Sequence, residues 1–386
     1  MSLANWDTSP AIINSLIGAA ASALISILVL RRLRLFPGAP LARSILPVVG
    51  GVYAGFVSLL LIARLEYSSY ILVLAFVGTL LARFAIETLH VRVEQLVFYV
   101  VPGGRAALVH ELERTPTAPL LEPCDDGVPG HAIVADLHAE IGPEWERFLA
   151  EAAISGTPVY HYKQIWEAET GKVEIEHLSE NSFGALVPSL VYGKIKRLVD
   201  VALCVVALPL VLPLLAICAI AVKLDSRGPV FFRQQRQGFR GKPFKVVKFR
   251  TMTEVNDGSD REAAVTLTDD ERITRVGRFL RRYRIDELPQ LFNVLWGEMS
   301  WIGPRPEAVG LSKWYEDELP FYRYRHIVRP GITGWAQVNQ GHVASIDEVR
   351  HKLHYDFYYI KNLSYWLDII IAFRTVRVVL FGYGAK

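Results

Sequence analysis

Four long apolar runs organise the chain. Ala11 to Leu30, Ser44 to Ala63 and roughly Tyr70 to Ala85 each have about the length of a membrane-spanning helix, and Leu198 to Val222 is longer still. The first run has no basic region before it and Arg31, Arg32 and Arg34 after it, the wrong charge order for a secretory signal. It reads as a helix inserted with its C-terminal end in the cytoplasm. The loop RRLRLFPGAPLAR carries four arginines, whereas only RLEYSS separates the second and third runs. The positive-inside rule puts the arginine loop in the cytoplasm, the N-terminus outside, and the chain back in the cytoplasm near Glu87 after three crossings. Arg83 interrupts the third run and can snorkel to the headgroups from a helix end. A two-crossing count, with the N-terminus inside, stays open.

The fourth run differs. Lys194, Lys196 and Arg197 precede it, and Lys223, Arg227 and Arg233 follow it, so both flanks favour the same side of a membrane. Pro209 and Pro213 lie within it, each removing a helix hydrogen bond. A helix over 198–222 that enters one leaflet, breaks at the prolines and returns satisfies both observations. A kinked spanning helix is the alternative, since membrane helices tolerate proline.

From about Val91 to Leu190 the pattern turns polar. LVFYVV, HAIVADL and TPVYHYK predict strands, while RAALVHELER and PEWERFLAEAAIS predict helices. Strand–helix–strand order predicts a small α/β domain with parallel pairing, of a degenerate Rossmann-like kind: Gly103-Gly104 lacks the other spaced glycines of a dinucleotide fingerprint. A structural or regulatory role without a ligand is expected of it. The scattered His110, His131, His138, His161 and His177 predict no metal site.

Composition adds little to this plan. The chain has 386 residues, 51% hydrophobic, with a net charge of +3, and no nucleic-acid partner is expected. Cys124, Cys204 and Cys218 have no metal or redox spacing, which fits a reducing compartment. Three domains are expected: 1–90 as transmembrane helices, 91–190 as the α/β domain, and 191–386 as a mostly helical domain holding the re-entrant helix.

Candidate chemistry concentrates in that last part. Basic residues dominate between Lys194 and Arg250, where only Asp200 and Asp225 are acidic. In KPFKVVKFRTM, apolar residues alternate with Lys245, Lys248 and Arg250, a strand that can offer cations to an anionic ligand or to acidic lipid headgroups. Further on, Asp286 and Glu287 sit just ahead of Pro289, a residue tolerated in a helix's first turn. Nearby arginines favour ionised carboxylates there. An ionised aspartate can attack phosphorus, and an adjacent glutamate can hold a hard cation. On its own, such a pair is usually an N-terminal charge preference of the helix.

The order of motifs decides between these readings. KRLVD, the long apolar run with its proline, GPVFFRQQRQG, FKVVKFRTM, IDELPQLFNVLWGEMSWIGPRPE and RPGITGWAQVNQG follow one another over residues 194–386. Together they resemble the bacterial sugar transferases, monotopic phosphoglycosyl transferases that act on polyprenyl phosphate, and the N-terminal half resembles that of the larger members. The resemblance implies that Asp286 attacks the β-phosphate of a UDP-sugar, releasing UMP and retaining the sugar phosphate. Glu287, with Asp286, would support Mg2+. Undecaprenyl phosphate would then take the sugar phosphate, as the first step of exopolysaccharide, capsule or O-antigen synthesis.

By the same resemblance, Lys245, Lys248, Arg250, Arg281 and Arg305 would bind phosphates. Arg329, Gln337 and Asn339 would serve nucleotide binding and loop architecture. The helix break aligns with Leu212-Pro213, where many members have Ser-Pro. The expected setting is the bacterial inner membrane, with the catalytic domain on its cytoplasmic face, in contact with membrane lipid. A homodimer through the middle domain is a further expectation. Trp301 and His342 depart from the pattern and name no sugar. A catalytically idle scaffold is the competing class. A transporter is not expected, because the apolar runs are few and no charge lies mid-membrane.

Overall fold

The computed structural model describes residues 9–33, 41–93, 97–113, 115–123, 132–173, 190–253, 272–340 and 345–381; Cys124, His131, His177 and His342 lie outside them. The chain forms two compact units, Met1–Gly171 and Lys172–Lys386.

The first unit opens with three helices, α1 (Pro10–Leu33), α2 (Leu41–Ile62) and α3 (Ser69–Val93), each containing a predicted run. Twenty-two residues rise about 33 Å, enough for a hydrocarbon core of about 30 Å. All three are apolar enough to span, so this is a membrane protein. Gly18 lets α2 approach α1: a Cβ there would lie 1.8 Å from the Phe56 ring. Two buried hydroxyls of α1 are satisfied locally, Ser15 and Ser26 each donating at 2.7 Å to the carbonyl four residues back. The Tyr53 hydroxyl reaches Thr79 Oγ1 at 3.0 Å and the Ala19 carbonyl at 3.4 Å, tying the three helices together. Leucines and isoleucines such as Leu16, Ile17, Leu59 and Leu74 face outward.

The same unit holds a four-stranded, all-parallel sheet of β1 (Phe98–Val100), β2 (Thr117–Pro119), β3 (Ala132–Ala135) and β4 (Val159–His161), in the order β2-β1-β3-β4. Side-chain alternation gives it two buried faces. Ile133 and Ala135 pack with Phe148 and Leu149 of α4 (Pro143–Ile154). Val134 packs the other way, with Val109 and with Tyr162 and Ile165 of α5 (Tyr162–Thr170). RAALVHELER yields only a 3₁₀ turn, Ala106–Glu111, rather than the expected α-helix.

In the second unit α6 (Leu190–Asp225) is helical from end to end, with Pro209, Leu212 and Pro213 inside it. One side of this helix is buried along its length. Cys204 packs with Leu291, Val294 and Phe244, whereas Leu215, Cys218 and Val222 pack with Phe249 and Leu280. Its other side, including Leu198, Val206, Leu210 and Ile217, is exposed and apolar between the exposed Lys194 and Lys223.

An antiparallel hairpin follows, β5 (Phe231–Gln237) and β6 (Pro243–Phe249), and then α7 (Arg275–Arg282) and α8 (Gln290–Trp296). A parallel pair, β7 (Ser300–Ile302) and β8 (Gly331–Thr333), brackets α9 (Val309–Glu318). Backbones meet closely there, since a Cβ on Gly331 would lie 2.1 Å from the Gly303 amide nitrogen. The chain closes with α10 (Trp335–Asn339), α11 (Ile346–Lys361) and α12 (Tyr365–Phe381). A capping box of Ser345 and Glu348 starts α11. In α12, Leu367, Ile370 and Ile371 are buried while Phe373 and Val376 are exposed, so one face belongs to the core.

Candidate active site

The chain around Asp286 folds as three short pieces. Thr274 caps α7 by accepting from the Gly277 amide at 3.0 Å. Gly277 lets α7 press on the end of β6, because a Cβ would lie 2.3 Å from the Thr251 carbonyl oxygen. Arg284 then takes a left-handed conformation, φ 53, and reverses the chain into a 3₁₀ turn, Ile285–Glu287. That turn, rather than the first turn of α8, carries Asp286 and Glu287, which are 8% and 7% exposed. Pro289 caps α8 with φ −62, compatible with its ring.

Two cations meet Glu287. Lys248 of β6 donates to Oε1 at 2.9 Å; Arg305, in the GPRP loop, donates to Oε1 at 2.7 Å and to Oε2 at 3.3 Å. Asn293 of α8 fixes the register of β6 by accepting from the Val247 amide at 3.0 Å and donating to the Lys245 carbonyl at 2.8 Å. Among the described residues nothing donates a hydrogen bond to the Asp286 carboxyl.

Electrostatics separate the two acids. Burial alone would raise Glu287, but Arg305 and Lys248 overcome it and hold its carboxyl well below the usual range. Burial raises Asp286 above the ordinary aspartate value, with Lys248 as the main charge pulling it back and Arg281 and Arg305 behind it. Glu287 is thus a fixed anion neutralised on both sides, and Asp286 an unclaimed carboxyl in a field of cations.

A buried network supports Arg305. Its carbonyl accepts from Arg325 at 2.8 Å, and Arg325 also pairs with Asp356 at 2.8 Å and donates to the Tyr322 hydroxyl at 2.7 Å. Next to it Glu307 pairs with Lys352 of α11, and Arg236 of β5 donates to the Pro306 carbonyl at 2.8 Å and to Gln234. Arg236, Arg325 and Asp356 were not candidates from sequence. Glu307 stood at the end of a recognised motif, but nothing in the spacing ties it to residues of α11.

The remaining candidates fall in several places. Arg281 donates to Thr251 Oγ1 at 3.0 Å within the electrostatic reach of Asp286. Lys245 is exposed on the opposite face of β6 from Lys248. Arg250 is buried and donates to the Ser226 carbonyl at 2.6 Å and hydroxyl at 2.9 Å, closing the turn after α6. Arg329 donates to the Gly297 carbonyl at 3.0 Å and lies over the Phe239 ring. Gln337 donates to the Ile332 carbonyl at 3.1 Å, and Asn339 accepts from Arg374 of α12. The structure therefore gathers Lys248, Arg281 and Arg305 around Asp286 and Glu287. It gives Arg250, Arg329, Gln337 and Asn339 separate partners and leaves Lys245 exposed on the other face of β6.

Comparison with known proteins matches this half of the chain to a family. The family model for bacterial sugar transferases covers residues 191–382. A UDP-N-acetylgalactosamine-undecaprenyl-phosphate N-acetylgalactosaminephosphotransferase of Aeromonas hydrophila is 43% identical over 386 residues, spanning 99% of this chain and 90% of that protein. The chain belongs to the bacterial sugar transferase family. It is a transferase of the larger polyprenyl-phosphate phosphoglycosyl transferase kind. UDP-glucose:undecaprenyl-phosphate glucose-1-phosphate transferases of Klebsiella pneumoniae and Escherichia coli (strain K12) are 47% and 46% identical over 183 and 184 residues, which is 47% of this chain and 39% of theirs.

Proposed function

We propose that this transferase moves a sugar 1-phosphate from a UDP-sugar to undecaprenyl phosphate through a covalent intermediate on Asp286. The observation that carries the reading is the unequal pair. Glu287 is held by Lys248 and Arg305, while the adjacent Asp286 has no hydrogen-bond donor among the described residues and stands free to react.

The chemistry balances in two steps. An Asp286 carboxylate oxygen attacks the β-phosphorus, the bond to the α-phosphate oxygen breaks, and UMP leaves with that electron pair. A phosphate oxygen of undecaprenyl phosphate then attacks the same phosphorus, and its bond to Asp286 breaks. The lipid diphosphate sugar departs and the carboxylate is restored. An anionic nucleophile approaching a diphosphate needs cations aimed at the developing charge, and Lys248, Arg281 and Arg305 supply them.

Asp286 and Glu287 also fit a magnesium ion. They are adjacent carboxylates, one without a hydrogen bond and the other with Oε2 held only by a 3.3 Å contact. Such an ion would neutralise diphosphate oxygens in the site.

The membrane arrangement follows from α6. One face of it, from Cys204 through Leu215 and Cys218 to Val222, packs against the elements that carry Lys248, Asp286 and Glu287. A straight crossing would draw β6 and α7 into the bilayer with it. Thirty-six residues would also rise about 54 Å as a straight helix, well beyond the hydrocarbon thickness. We therefore favour a re-entrant course bending near Leu212-Pro213, with both basic flanks on the cytoplasmic face of the inner membrane. There one site meets a soluble nucleotide sugar and a lipid phosphate confined to the interface. The product would begin a surface polysaccharide.

The test is nucleotide release by purified enzyme given undecaprenyl phosphate, Mg2+ and a panel that includes UDP-N-acetylgalactosamine, UDP-galactose and UDP-glucose. UMP release with one donor, lost in Asp286→Asn, is expected. UDP release would overturn the mechanism, and no release from folded protein with any donor would favour an idle scaffold.

A further inference from the structure

The all-parallel sheet of the first unit reverses its strand order between β1 and β3, the place where open α/β sheets form a crevice at their C-terminal ends. The chain leaves β1 through Gly103 and Gly104, both at positive φ. Gly104 lies so close to Asp136 that a Cβ would sit 2.3 Å from Oδ2. That oxygen accepts from the Arg105 amide at 2.9 Å. Asp136 thus occupies the spot where a phosphate would meet the loop, which argues against a nucleotide there. Its other oxygen, Oδ1, accepts from the His138 amide at 3.2 Å and lies 3.5 Å from His161 Nε2. His161 Nε2 is in turn 3.1 Å from His138 Nδ1.

These three side chains come together through the sheet. Asp136 directly follows β3, His161 ends β4, and Ala135 and His161 are register partners. Their ligand atoms all lie within 4.8 Å of one another. A four-coordinate ion with bonds near 2.0–2.1 Å requires ligand atoms about 3.3 Å apart. The separations of 3.1 and 3.5 Å bracket that value. Asp136 is buried, whereas His138 is exposed and gives an ion access from solvent.

We propose that Asp136, His138 and His161 form a binding site for a divalent transition-metal ion of the zinc class, clasping the C-terminal ends of β3 and β4. Two imidazoles and one carboxylate select such an ion over magnesium, which the all-oxygen pair Asp286 and Glu287 suits. His161 Nδ1 accepts from the Lys163 amide at 3.1 Å, capping α5 and leaving the ring proton on Nε2. Metal binding moves that proton to Nδ1 through solvent and releases the Lys163 amide. Loading therefore leaves a signature at the first turn of α5, faster hydrogen exchange at Lys163.

The test uses the full-length protein in detergent, stripped with chelator and titrated with Co2+ and Zn2+ in excess Mg2+. One equivalent is expected to bind, with Co2+ giving visible absorption bands and Zn2+ raising the Tm. Uptake and Tm shift should vanish in His138→Ala, whose sugar transfer in Mg2+ stays within twofold of wild type. Asp286→Asn should keep the site. If the cluster is only a hydrogen-bonded histidine pair, wild type will take up no stoichiometric ion, and the proposal fails. Uptake unchanged in both His138→Ala and His161→Gln would also overturn it.

Discussion

Lys248→Met isolates one cation of the site with little change in side-chain bulk. Lys248 Nζ lies 2.9 Å from Glu287 Oε1. At an effective dielectric of about 20, that contact is worth about 6 kcal/mol before desolvation, most of which desolvation offsets. Glu287 keeps its two-toothed bond from Arg305, so the variant orphans no buried charge and should fold, losing about 1–2 kcal/mol of stability. The rate should suffer more. Lys248 is the principal cation opposing the burial of Asp286 and is placed to meet charge developing on the diphosphate. Loss of one such preorganised group costs about 3 kcal/mol of transition-state stabilisation, roughly 10²-fold in kcat. Removing the cation also moves Asp286 further up, so the acid limb of the kcat/KM profile should shift to higher pH. UMP release measured from pH 5 to 9 reads both effects, with Lys248→Arg as the charge-preserving control. A variant within threefold of wild type, with its acid limb unmoved, would refute the reasoning.

Other consequences are open to direct measurement. Asp356→Asn leaves Arg325 unpaired in a site where both side chains are 2% exposed, so the Tm should drop by the equivalent of about 3–5 kcal/mol, partly restored in the double variant with Arg325→Met. Burial, aided by the charges of Arg325 and Arg323, pushes His326 down to about 3. Its folded pKa lies below its unfolded value, so the unfolded chain binds the extra proton. Stability is complete above about pH 6.5 and declines as pH falls towards 3, by about 2 kcal/mol at pH 5. Thermal melts from pH 8 to 5 should show that decline, and a flat profile would exclude it. Cysteines placed at Lys194 and Arg227 should both react with an impermeant reagent from the cytoplasmic side in oriented vesicles; reaction from opposite sides would establish a crossing.

The sequence reading succeeded where one physical signal dominates a segment. Apolar length located α1, α2, α3 and α6, short runs rich in β-formers located β1, β3 and β4, and alternation located β6. It missed β2, whose three residues include Pro119 and show no alternation, and α5, whose apolar positions merge with the preceding strand. β7 and β8 are paired through glycines at close approach, a tertiary fit with no local periodicity.

At the site, motif order singled out Asp286, Glu287 and Arg305. Strand parity could have separated Lys245 from Lys248, because residues three apart on a strand point to opposite faces. Arg236, Arg325 and Asp356 were beyond reach, because their partners are set by packing across long stretches of chain. The histidines show the same limit. His138 and His161 are 23 residues apart and meet only because β3 and β4 are neighbours in the sheet.

The central claim is that Asp286 becomes covalently bonded to the sugar phosphate. Purified enzyme should be mixed with its UDP-sugar and Mg2+ without lipid acceptor, quenched in acid, digested and analysed by mass spectrometry. The account expects the mass increment of the donor's sugar phosphate on the peptide containing Asp286, at most one per chain, together with an equal amount of UMP. The adduct should disappear when undecaprenyl phosphate is added. UMP formed only when the lipid is present, with no adduct at any quench time, would contradict it and point to direct transfer between the two substrates.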